Sequence, residues 1–145
     1  VISAENEYSF THPCGVKLRG YPDRVEKEPD GSLIIADYKT KRKIEHEKDD
    51  INTCLQVVIY AWLCEQAGVP VKRCDYRYIR KGKTISCSYD DLRRTELKEK
   101  LEAFKEALTT NTFPRNPGKS DENCRYCTMN DICCWDEETE GKEEI

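Results

Sequence analysis

The segment Gly20-Tyr21-Pro22-Asp23-Arg24-Val25-Glu26, the turn Pro29-Asp30-Gly31 and the segment Ile34-Ile35-Ala36-Asp37-Tyr38-Lys39-Thr40 read together as two strands and a tight connection. A three-residue hairpin loop uses two right-handed residues followed by one in the left-handed region, and Pro-Asp-Gly supplies them in that order. With Glu28 and Ser32 flanking the loop, Asp23 falls opposite Asp37. Directly facing side chains lie roughly 5 Å apart, and like charges there repel. Lys39 follows Asp37 by two residues and so projects from the same face. Two acids placed together on an apolar hairpin call for something between them, and a divalent cation with oxygen ligands is the natural candidate.

Composition bounds the rest. The chain has 145 residues, enough for one domain with a real core, and 36% of them are charged. No apolar run approaches the roughly 20 residues of a membrane helix. No signal peptide is visible at Val1, so the expected location is cytoplasmic. The net charge of −4 argues against a protein that coats DNA by bulk charge. The distribution matters more than the sum. Lys41, Arg42 and Lys43 form one basic cluster with Lys39. Arg77, Arg80 and Lys81 belong to a second, with Lys72, Arg73 and Lys83. Residues 136–145 carry six acids and one lysine and read as a disordered acidic tail. Without that tail the body is near neutral, with positive patches suited to phosphates.

The periodicity predicts strands over 7–12, 15–27 and 32–40. A helix follows from Asp49 or Asp50 to about Ala67, closed by Gly68 and Pro70. Strands over 74–79 and 84–89 come next, then a helix from Asp90 or Asp91 to about Thr110 with Leu97, Leu101, Phe104 and Leu108 at helical spacing. The order βββαββα is that of a mixed α/β domain with an antiparallel start and a crossover helix. The expected divisions are a core over 1–113, a cysteine cap over 114–135 and the tail.

Nine cysteines, an odd number, argue against a full disulfide framework. Cys124-x2-Cys127-x5-Cys133, with Cys134 adjacent, has the spacing of a metal or cluster site. An iron–sulfur cluster is favoured over zinc. Cys54, Cys64, Cys74 and Cys87 lie in helix or strand patterns and read as small core residues.

These residues resemble those of a known family. Gly20-x-x-Asp23-Arg24-Val25, Asp37-Tyr38-Lys39-Thr40, Gln56-x-x-x-Tyr60 and the cysteine series occur in the order seen in the PD-(D/E)xK nuclease superfamily, within it the RecB-type nucleases, which include the nuclease domain of AddB-type helicase–nucleases and the Cas4 proteins of CRISPR adaptation. The resemblance spans about Glu7 to Cys134. It implies a restriction-endonuclease-like mixed sheet with a C-terminal cysteine-rich cap. It implies Asp23, Asp37 and the Tyr38 carbonyl as ligands of Mg²⁺ or Mn²⁺, with Glu7 as a further acid and Glu5 its competitor. Lys39 would orient the attacking water or neutralise the phosphate, with Gln56 and Tyr60 facing the site from the crossover helix. Cys124, Cys127 and Cys133 would hold a [4Fe–4S] cluster. Family members usually carry the fourth cluster cysteine and a metal-binding histidine on a helix before strand one, and this sequence begins past that helix. Cys14 is the upstream candidate for the fourth ligand. Neither His12 nor His46 is expected as the metal-binding histidine.

The resulting expectation is metal-dependent hydrolysis of DNA, on single-stranded ends. Lys41, Arg42, Lys43, Arg77, Arg80 and Lys81 would track the backbone, alone or beside a helicase or CRISPR-adaptation partner. Tyr76 and Tyr78 are weighed as base-stacking residues against ordinary packing. The competing classes are a catalytically silent nucleic-acid-binding module of the same fold, a zinc-ribbon protein with incidental acids, and a surface ion network on the hairpin.

Overall fold

Glu28 and Ser32 do flank the turn. The Glu28 N–H donates to the Ser32 carbonyl at 2.8 Å, the Gly31 N–H donates to Glu28 at 3.0 Å, and Gly31 adopts φ +87°, where a glycine is favoured. Asp30 Oδ1 accepts from the Ser32 N–H at 2.9 Å and from its hydroxyl at 2.5 Å. This fixes the register of β3 (Arg24–Lys27) on β4 (Leu33–Lys39), with Arg24 facing Ala36 and Val25 facing Ile35.

The computed structural model describes residues 1–44, 50–113 and 127–129. It divides into two compact units, Val1–Glu106 and Ala107–Ile145. The first holds both sheets and helix α1 (Ile51–Gln66), and α2 (Asp91–Thr110) runs from it into the second. Before the hairpin, β1 (Tyr8–Thr11) and β2 (Lys17–Gly20) form an antiparallel pair of their own. The larger sheet has the order β3-β4-β5-β6, with β5 (Val71–Tyr78) parallel to β4 and β6 (Lys83–Ser88) antiparallel to β5. A 3-10 turn, Ile79–Lys81, joins β5 to β6.

Helix α1 is the crossover that a parallel β4–β5 pair requires. Asp50 caps it, Oδ1 accepting from Asn52 N–H at 2.8 Å and Thr53 N–H at 3.2 Å. It buries Cys54, Val57, Val58, Ala61, Trp62, Leu63 and Cys64. The sheet answers with Val25, Leu33, Ile35, Cys74, Tyr76, Tyr78 and Cys87. Full burial of a side chain the size of Val or Leu is worth about 1.5–3 kcal/mol. The four cysteines expected in the core are all there.

Three expectations are corrected. The strand over 15–27 is two strands, because Pro22 has no N–H to continue a ladder and the chain changes sheets at Tyr21–Asp23. The strand expected from Cys74 begins at Val71, since Lys72 and Arg73 are held by acids of the hairpin: Lys72 by Glu28 and Asp30, Arg73 by Glu28. On α2 only Leu97 and Leu101 of the predicted stripe are buried, while Phe104 and Leu108 are about half exposed. Cys124, Cys133, His46 and the acidic tail lie outside the described residues.

Candidate active site

Carried one step beyond the last paired residues Arg24 and Ala36, the hairpin register sets Asp23 against Asp37. Asp23 sits just ahead of β3, and its Oδ2 accepts the Tyr38 N–H at 2.8 Å. An extended residue presents its N–H and C=O on the same side of the strand. The Tyr38 carbonyl therefore points toward the Asp23 side as its N–H does.

Asp37 belongs to the face of β4 that packs on α1, and only 5% of its side chain is exposed. A carboxylate buried to that degree needs a cation or a set of donors. Lys39 Nζ lies 2.7 Å from Asp37 Oδ2. The same ammonium donates to Gln56 Oε1 at 2.9 Å, and Gln56 Nε2 donates to the Tyr60 hydroxyl at 3.1 Å. Gln56 and Tyr60 are one turn apart on α1, so both reach toward the end of β4. Five residues singled out by sequence, Asp23, Asp37, Lys39, Gln56 and Tyr60, are thus brought together.

The floor of the site is Tyr76, which faces Asp37 in the parallel register. Its ring centroid lies 5.1 Å from Lys39 Nζ, and its hydroxyl donates to the Thr53 carbonyl at 3.1 Å. Burial, reinforced by the nearby acidic groups, holds the phenol well above its ordinary range. Tyr76 and Tyr78 are 1% exposed, so neither is available to stack on a base, and the packing alternative holds. Sequence reasoning missed Tyr76 as a site residue. Its even spacing from Cys74 on a buried strand was the one signal of its direction.

Other candidates sit elsewhere. Glu7 accepts from the Tyr21 hydroxyl at 2.7 Å and from Arg19 at 2.9 Å on the exposed face of the β1–β2 pair. The Tyr21 hydrogen bond, with Arg19 beside it, holds its carboxyl below the usual range. Among the described residues, no three His, Cys, Asp or Glu side chains gather as a metal-holding group. Arg77 is bidentate to Glu26, at 3.0 and 2.7 Å, and also reaches the buried Asp75 at 3.5 Å. Lys41, Arg42 and Lys43 are exposed beyond β4, and Arg80 and Lys81 are exposed beyond β5. Because β4 and β5 are parallel, both basic segments leave the sheet at the end where Asp37 and Lys39 lie.

Cys14 is half buried, its Sγ 3.0 Å from His12 Nδ1, and His12 is buried against Trp62. Burial lowers the His12 pKa and favours the neutral ring. Cys127 is exposed.

The donor set suits a hard cation. Two carboxylates and a main-chain carbonyl are oxygen ligands of the kind Mg²⁺ and Mn²⁺ prefer. The family model for the PD-(D/E)XK nuclease superfamily matches residues 1–134. The chain belongs to that superfamily. Superfamily members typically act on nucleic acid with divalent metals such as Mg²⁺ or Mn²⁺. A solved structure titled "Crystal structure of SSO0001" matches with a TM-score of 0.56 at 18% identity, over 90% of this chain and 59% of that one. At that identity the likeness is one of fold, and the chain spans less than two thirds of that protein's length. No curated protein is detectably similar in sequence. No helix among the described residues is long and apolar enough to cross a membrane.

Proposed function

We propose that this chain is a divalent-metal-dependent DNA nuclease of the RecB/AddB/Cas4 type, acting exonucleolytically on single-stranded ends. The observation that carries the reading is the buried Asp37 joined to Lys39 and Gln56, beside an Asp23 already oriented by the Tyr38 N–H. Asp23, Asp37 and the Tyr38 carbonyl would hold Mg²⁺ or Mn²⁺. When bound, such an ion offsets phosphate charge and lowers the pKa of its water.

The chain's own residues do the rest. The Asp23–Tyr38 hydrogen bond fixes one carboxylate against the β4 backbone. Lys39 is a three-donor point charge with two of its donors directed at Asp37 and Gln56. In the transition state it places positive charge where the phosphate oxygens become more negative. Gln56 orients that ammonium, and Tyr60 orients Gln56 in turn. Lys41, Arg42, Lys43, Arg80 and Lys81 would hold the backbone of the strand by charge without reading sequence. Arg77, paired to Glu26, serves the sheet first. A [4Fe–4S] cluster on Cys124, Cys127 and Cys133, with Cys14 as the fourth candidate and zinc as the alternative, belongs to the same proposal. So do a cytoplasmic location and a helicase or CRISPR-adaptation partner. A second reading, a silent DNA-binding module, is favoured by the engagement of Glu7 with Arg19 and Tyr21 and by the lack, among the described residues, of a third acid gathered with the other two.

The test is incubation of end-labelled single- and double-stranded DNA with the protein and Mn²⁺. A ladder on single strands that EDTA abolishes is the expected result. DNA binding without any cleavage would instead establish the silent module.

A further inference from the structure

The Lys39 ammonium does not sit on the sheet alone. Three contacts converge on it: Asp37 Oδ2 at 2.7 Å, Gln56 Oε1 at 2.9 Å and the Tyr76 ring at 5.1 Å to its centroid. The first comes from its own strand and the second from α1. The third comes from β5 and has a second attachment. The Tyr76 hydroxyl donates to the Thr53 carbonyl, which lies three residues before Gln56 on α1. The contacts therefore close a ring: Lys39 to Gln56, along α1 to Thr53, across to the Tyr76 hydroxyl, and through its aromatic face back to Lys39.

We infer that Tyr76 is the positioning residue of this site, its ring seating the Lys39 ammonium while its hydroxyl sets the distance between that ammonium and Gln56. The chemistry favours the arrangement. A lysine stem carries four rotatable bonds, and freezing them has an entropic cost that a single contact does not offset. Asp37 alone would let the ammonium swing about its carboxylate. An aromatic face attracts a cation most strongly where water is scarce, and only 20% of the Lys39 side chain is exposed. Tyr76 itself is 1% exposed and faces Asp37 in the strand register, so it has no freedom to move away. Its phenol is held neutral by burial, which makes it a fixed dipole and not a competing acid. The inference rests on the nuclease reading for its consequence, but the contact itself is independent of it.

The experiment has two arms on the full chain. In the first, the protein is labelled with [ε-¹³C]lysine and the Lys39 signal is assigned by its loss in Lys39→Arg. Its ε-CH₂ protons are expected upfield of those of the exposed lysines, shifted by the Tyr76 ring current, in the wild type and in Tyr76→Phe but not in Tyr76→Leu. In the second, single-turnover cleavage with Mn²⁺ is compared across the same proteins. Tyr76→Leu is expected to slow the chemical step about thirtyfold, the value of a desolvated cation–aromatic contact, with the half-saturating DNA concentration nearly unchanged. Tyr76→Phe keeps the ring and stays within about fivefold, the loss of one hydrogen bond. A Lys39 signal at the position of exposed lysines in the wild type overturns the inference, and this arm needs no variant at Tyr76 to fold. A folded Tyr76→Leu that cuts at the wild-type rate overturns it as well. Wild-type protein that shows the shift but cuts nothing keeps the contact and refutes the nuclease reading instead.

Discussion

Gly20→Ala isolates a close approach that the site depends on. Gly20 ends β2 and is buried, and an added Cβ would stand 2.7 Å from Tyr60 Cε1, 2.8 Å from Tyr60 Cδ1 and 3.1 Å from Leu63 Cδ1. Its φ is not positive, so alanine meets no backbone strain there and the contact is the whole effect. The Leu63 methyl can rotate away. The Tyr60 ring cannot do so freely, because its hydroxyl accepts from Gln56 and its edge lies against β2. Overpacking of this kind costs about 1–3 kcal/mol. With a urea slope near 2 kcal/mol per molar, the unfolding midpoint should fall by about 1 M. Displacing Tyr60 also strains the 3.1 Å bond from Gln56, and loss of about 1 kcal/mol of orientation slows cleavage about fivefold. The assay is urea unfolding followed by circular dichroism, with Mn²⁺-dependent cleavage on the same preparation. A midpoint unchanged from wild type would refute the placement of Tyr60 against β2.

Three further outcomes are expected. Tyr60→Phe removes the acceptor of Gln56 Nε2 without touching Asp23 or Asp37, the proposed metal ligands, and single-turnover cleavage should slow about fivefold with Mn²⁺ affinity unchanged by calorimetry. Lys39→Ala removes the ammonium beside Asp37, and the cleavage rate should fall by about 10²–10³-fold, measured at saturating Mn²⁺. Glu26 is held below its ordinary range, first by the hydrogen bonds from Arg77. Its contribution is therefore fully present above its unfolded value near 4.5 and is lost as pH falls through the lower folded value. Glu26→Gln should destabilise the protein by about 1–2 kcal/mol at pH 7 and by progressively less below pH 4.5, read from urea unfolding across pH.

The parts of the fold written in local chemistry were legible. Pro29-Asp30-Gly31 specifies one loop, the loop specifies the register, and the register sets Asp23 against Asp37 before any tertiary contact is known. Asp50 and Gly68 marked α1 for the same reason, since caps are local. What depended on distant partners was not legible. Arg77 reads as a phosphate contact because its neighbours are basic, yet its partner Glu26 lies 51 residues away and two strands over. The stripe on α2 outruns the core it packs on, so Phe104 and Leu108 have the spacing of core residues and the exposure of surface ones. Tyr21-Pro22 did carry a signal for the sheet change in the proline, but the alternation on either side masked it. In the site, Lys39 stood out by its spacing from Asp37, whereas Gln56 and Tyr60 were legible only through the resemblance to the family. Tyr76 did not stand out, because a buried strand tyrosine looks alike whether it fills a core or seats an ammonium.

The most direct test of the central claim is the Mn²⁺-dependent cleavage rate of end-labelled single-stranded DNA by wild-type protein and by Asp37→Asn, which keeps the shape of the buried side chain and removes its charge. The account predicts cleavage by the wild type and a loss of at least about 10²-fold in the variant, with both equally folded. Equal cleavage by the two proteins would contradict it and would place the chemistry outside the Asp23–Asp37–Lys39 site.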